Sequence, residues 1–89
     1  SPEQTFFLRE NMKLRVLNAR MGVLSRQFGS AKSDLAMVNA DLRKYTDASA
    51  PAAKQALGLL QQSQAQLANL SIPGLEESLA ALTVAAAGR

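Results

Sequence analysis

From Phe6 to Phe28 the apolar residues fall on two lines of one predicted helix instead of one. Leu14, Leu17, Met21, Leu24 and Phe28 recur at alternating spacings of three and four, which aligns them along one side of an α-helix. Leu8, Met12, Ala19 and Val23, with Val16 close by, trace a second line. At ~100° per residue the two lines centre about 180° apart. Arg9, Lys13 and Arg20 occupy one edge between them, and Arg15 and Arg26 the other. A surface helix needs one apolar face. Two imply cover from both sides, by the chain's own hairpin partner and by something else. The Leu8, Met12, Val16, Ala19 and Val23 line, edged by Arg9, Lys13 and Arg20, is the candidate interaction surface.

The same reasoning divides the rest of the chain. Helix one is predicted over about 2–28, with Ser1 as cap, Pro2 in the first turn and Glu3 complementing the dipole. Phe28-Gly29-Ser30 is expected to close it, with Gly29 as the left-handed residue. Helix two follows over about 31–46, capped by Ser30 or Ser33, with Ala31, Leu35, Val38, Leu42 and Tyr45 on one stripe. So short a link makes helices one and two an antiparallel hairpin. Asp47 to Pro51 reads as a turn, with Ser49 as cap for helix three over about 50–70. Its inner face carries Ala53, Ala56, Leu57, Leu60, Leu67 and Leu70, interrupted at the centre by Ser63 and Gln64. Ile72 precedes Pro73 and is pushed out of helical dihedrals, so the pattern breaks there. Helix four, over about 74–86, presents Leu75, Leu79 and Leu82. The chain is therefore a single all-α domain over 1–89: an antiparallel hairpin plus one or two further helices, a small bundle loosely like a tetratricopeptide unit. Gly22 and Ala40 are the small residues available for close helix contact.

Composition narrows the chemistry. With neither cysteine nor histidine, zinc, iron–sulfur and His-based nucleophile sites have no ligands or bases to draw on. A chain of 89 residues without a disulfide is thinly stabilised, so tight helix packing or a partner surface is needed. The net charge of +3 comes from residues 1–47, with eight Lys or Arg against five acids. Glu10 interrupts the basic edge and no aromatic interleaves it, so nucleic acid is not the expected partner. The stems of Arg and Lys more simply cover the margins of an apolar stripe. No run approaches the ~20 apolar residues of a bilayer span. The abrupt start at Ser1-Pro2 reads as a piece excised from a longer protein.

The run Phe6-Phe7-Leu8-Arg9-Glu10-Asn11-Met12-Lys13-Leu14-Arg15-Val16-Leu17-Asn18-Ala19-Arg20-Met21-Gly22-Val23-Leu24-Ser25-Arg26 resembles the C-terminal region of the HemX family. So do Asp41-Leu42-Arg43-Lys44-Tyr45-Thr46-Asp47 and Ile72-Pro73-Gly74-Leu75 followed by Ser78-Leu79. The likeness covers most of residues 6–80 and is strongest in the first helix. The chain departs from the family where Tyr45-Thr46 replaces an aromatic pair and Gly29-Ser30 replaces Gly-Asp. The resemblance implies a bacterial protein of the haem operon, anchored in the inner membrane by one N-terminal span missing here, with this portion periplasmic. Family members often carry the label uroporphyrin-III C-methyltransferase.

The residues themselves favour a different role. A methyl-donor site of the usual kind needs a strand and a Gly-rich loop, and the five glycines are scattered with no predicted strand before any of them. Tyr45 and Met12, Met21 or Met37 are side-chain types that ligate haem iron, and arginines can pair with propionates. Their places on helical stripes make packing the simpler reading. Glu76 and Glu77 point ~100° apart and read as complementing a helix N-terminus. The expectation is a non-catalytic helical interaction or scaffold domain, with no catalytic residue, no metal and no cofactor, meeting a protein partner or forming a homo-oligomer through helix one. A porphyrin- or haem-binding module is the alternative, as is an accessory segment of a methyltransferase.

Overall fold

The computed structural model describes residues 1–69 and 72–88. Four helices account for nearly all of them: α1 (Pro2–Leu24), α2 (Phe28–Tyr45), α3 (Pro51–Ala68) and α4 (Ile72–Gly88). There is no strand among the described residues. α1 starts as its sequence dictates. Ser1 Oγ accepts from the Gln4 N–H at 3.2 Å while the Gln4 side chain accepts from the Ser1 amine at 3.3 Å, a reciprocal cap ahead of Pro2.

The first turn falls earlier than the glycine suggested. α1 ends at Leu24, and Arg26 takes the left-handed conformation (φ 62°) that was expected of Gly29. The Arg26 N–H donates to the Val23 carbonyl at 3.1 Å and the Gln27 N–H to the Gly22 carbonyl at 2.6 Å. That double closure ends a helix even with a side chain at the left-handed position, though at a cost of about 1–2 kcal/mol for a residue with a Cβ. Phe28 and Gly29 then belong to α2, and neither Ser30 nor Ser33 caps it. Ser49 likewise does not cap α3. Its hydroxyl and N–H donate to Asp47 at 2.6 and 3.0 Å, and Ala50 is the capping residue. α4 takes in Ile72, with Pro73 in the first turn where a missing N–H breaks no helical bond. Leu70, expected on the inner face of α3, lies outside the described residues, as does Ser71.

Short links reverse the chain at each turn, so neighbouring helices run antiparallel. α1 packs on α2 and α4, and α3 packs on the same two; among the described residues the backbones of the diagonal pairs do not come together. Arg20, near the end of α1, meets Glu76, near the start of α4, which fixes the antiparallel sense of that pair too. The small all-α bundle is what the helical periodicity predicts. Its fourth helix returns to the first and closes a ring, which is where it parts from a tetratricopeptide stack.

The core runs along the ring's axis. α2 contributes Ala31, Leu35, Val38 and Leu42, α3 contributes Leu57, Leu60 and Leu67, and α4 contributes Leu75, Leu79 and Leu82. Each fully buried leucine contributes roughly 1.5–3 kcal/mol by leaving water. Ser63 sits wholly buried among the α3 leucines and donates its hydroxyl to the Leu59 carbonyl at 2.8 Å, so its polar group is satisfied within its own helix.

Candidate interaction surface

α1 shows which of its two lines the bundle uses. Val16 (1% exposed), Ala19 (0%) and Val23 (2%) are core residues. Met12 packs against the core and Leu8 is half-buried. The Leu8-to-Val23 line, read from sequence as the surface left for a partner, is therefore covered by the chain's own α2 and α4. The assignment of faces is reversed. Small and β-branched residues on this side explain why. A Cβ on Gly22 would lie 3.2 Å from the Gln27 carbonyl oxygen in the following turn, a tight fit, and 3.4 Å from the Ala31 Cβ, so α2 comes close to α1 at Gly22 with little room to spare. A face built from Val16, Ala19, Gly22 and Val23 admits two neighbouring helices; a row of long side chains would hold them off. Gly22 thus fills the close-contact role expected of it, while Ala40 is exposed.

The other line faces out. Leu14 (58% exposed), Leu17 (37%), Met21 (67%) and Leu24 (63%) form an apolar row along the outer side of α1, and Phe28 alone of the original five packs against the core. Phe6 and Phe7 extend the exposed apolar surface toward the N-terminus. The strict alternation of spacings was itself the signal: a narrow seam of this kind suits one facing helix.

The charged edge is largely neutralised within the chain. Arg20 Nε and Nη2 both donate to Glu76 Oε1, at 2.9 and 2.5 Å, clamping α1 to α4. Glu76 thereby serves a neighbouring helix instead of complementing its own N-terminus, and Glu77 is exposed. Lys13 pairs with Glu10 at 3.2 Å, and Arg15 reaches Asp34 on α2 at 3.7 Å. Arg9 is exposed and borders a cavity.

That cavity, about 230 Å³ in volume, opens at the end of the bundle where α1 begins and α4 ends, and all four helices line it. Met12, Val16, Val38, Leu42 and Leu82 form its floor and walls together with Ala52, Ala53, Ala56, Ala85 and Ala86. The sequence signal was available in the alanine clusters of α3 and α4, which leave space opposite larger residues. Asp47 stands at the rim, its carboxyl held below the ordinary 3.8 by the Ser49 hydroxyl and then by the Ser49 N–H. Of the side chains considered as haem ligands, Met12 alone lines this cavity. Tyr45, Met21 and Met37 are exposed, and the Lys44 ammonium lies 5.2 Å from the centre of the Tyr45 ring.

Fold and surface together define a small, closed helical bundle with one apolar seam turned outward and an apolar recess at one end. The chain belongs to the HemX family: the family model described as "HemX, putative uroporphyrinogen-III C-methyltransferase" matches residues 1–87. Membership supports an association with haem biosynthesis. No curated protein and no solved structure matches the chain. Among the described residues no helix is long and apolar enough to cross a membrane.

Proposed function

We propose that this chain is a non-catalytic helical interaction module, serving haem biosynthesis by holding a protein partner against the outer face of α1. One observation carries the reading: Leu14, Leu17, Met21 and Leu24 stand exposed in heptad spacing on a helix whose opposite face is already packed. A contiguous apolar row of this kind marks an interaction site more often than idle surface. Family membership supplies the haem connection. Methyl transfer itself, if the whole protein performs it, is assigned to residues beyond these helices. The resemblance noted in the sequence supports, as part of the same proposal, a position on the periplasmic side of a bacterial inner membrane.

The test is to introduce Leu17→Glu together with Met21→Glu in the intact protein, in a host deprived of its own copy. Helix content by circular dichroism is expected to stay unchanged while the haem phenotype matches that of a deletion. Full function in the double variant contradicts the proposal. The end cavity favours a second reading, a tetrapyrrole-binding module with Arg9 at its mouth. At about 230 Å³ the recess falls below the ~300–1,000 Å³ usual for small-molecule sites. Titrating a porphyrin into the purified chain is expected to leave its Soret band unmoved; a saturable shift would select the second reading instead.

A further inference from the structure

We infer that the occupant of this outer face is a second copy of the chain, docked antiparallel with the two-fold axis beside residue 19. The inference rests on the interaction-module reading and adds the partner and its register. Two observations carry it, the symmetry of the seam and the placement of its charges.

Leu14, Leu17, Met21 and Leu24 are spaced three, four and three, so the row reads the same from either end. An antiparallel copy centred beside residue 19 sets Leu14 against Leu24 and Leu17 against Met21, each twice by symmetry. All four exposed side chains are then matched and no polar residue enters the seam.

Charge decides between orientations. Glu10 lies on the same seam, four residues before Leu14. Each Glu10 already holds Lys13 of its own helix at 3.2 Å, and a parallel copy in register would set Glu10 beside Glu10 and Arg26 beside Arg26, so no opposite charges would meet across the seam. In the antiparallel register Glu10 falls at the level of position 28, beyond the end of the facing α1 and just past the Ser25–Gln27 turn. Arg26 stands in that turn, exposed and with no carboxylate partner among the described residues. The register therefore brings Glu10 of each copy to Arg26 of the other, one complementary contact at each end of the seam. Near the axis the two Arg20 side chains approach one another, but each already carries Glu76 at 2.5 Å, which removes the repulsion.

Sedimentation of the full chain from micromolar to millimolar concentration tests the inference. A reversible monomer–dimer equilibrium is expected, abolished by Leu17→Glu with Met21→Glu. Glu10→Arg alone and Arg26→Glu alone should each weaken the dimer by about tenfold, and the two together should restore it. Because the natural sequence has no cysteine, the register can be read by cross-linking. A mixture of Leu14→Cys and Leu24→Cys chains should form a mixed disulfide, whereas Leu14→Cys should not pair with itself. A chain that stays monomeric throughout, or a Leu14→Cys self-disulfide, overturns the inference. Its failure is separable from that of the broader reading. A strict monomer whose Leu17→Glu/Met21→Glu variant still loses the haem phenotype leaves the interaction module standing with another partner. An antiparallel dimer whose disruption leaves that phenotype intact does the reverse.

Discussion

Val23 and Leu24 are neighbours in the chain, yet one is 2% exposed and the other 63%. The same division runs the length of α1, with Val16 and Ala19 sealed inside while Leu14 and Met21 face outward. Hydrophobicity does not separate these faces, since the outer row is the bulkier of the two. Room for backbones does. The inner face holds Gly22 against Ala31 and Ala19 at the centre of the core, and it can accept α2 and α4 together. The outer row offers knobs to one facing helix. A helix with two apolar lines thus spends the smoother one on its own fold and keeps the more protruding one for association.

Substitutions of one kind on both faces should separate them most sharply. Val16→Asp buries an unpaired charge and should cost more than about 4 kcal/mol, enough to unfold so small a domain, whereas Leu14→Asp should cost about 1 kcal/mol or less, mostly through helix propensity. Thermal melts of the two variants at low concentration check the contrast. Ala19→Leu should be the next largest effect. Forcing methylenes between α1 and its neighbours should destabilise by about 1–3 kcal/mol, visible as a lower urea midpoint. Arg26→Gly acts at the helix end common to both faces. Relief of the left-handed conformation should stabilise the folded monomer by about 1 kcal/mol in the same titration. The smallest effect belongs to the clamp between α1 and α4. A double-mutant cycle of Arg20→Ala and Glu76→Ala should give a coupling of about 0.5–1 kcal/mol, reduced by added salt because both groups retain solvent contact.

Much of the fold was legible because period and burial agree. The α2 stripe of Ala31, Leu35, Val38 and Leu42 is wholly in the core, and so are Leu75, Leu79 and Leu82 of α4. Tyr45, placed on the α2 stripe by spacing, lies one turn too far and is exposed at the helix end. The link between α1 and α2 was misplaced because glycine is the usual left-handed residue, and nothing local in the sequence favours Arg26 over Gly29. The doubled character of α1 was also legible, but not which line the bundle would take. Periodicity reports direction around a helix and is silent on how closely another backbone can approach. Reading Ala19 and Gly22 as the contact positions, and the larger residues as the outer ones, would have reversed the assignment correctly. The end cavity was missed because it depends on alanines from the start of α3 and the end of α4, far apart in sequence, coming together at one end of the bundle.

The three methionines offer the most direct check on which way α1 is turned, since thioether oxidation follows exposure. Met21 lies on the outer row at 67% exposed, Met37 is also exposed but less so at 44%, and Met12 packs against the core. With dilute chain and mild peroxide, mass spectrometry should find Met21 oxidised fastest and Met12 slowest. Oxidation of Met12 as fast as Met21, or protection of Met21 in the dilute monomer, would show that the helix presents its other face and would contradict the account.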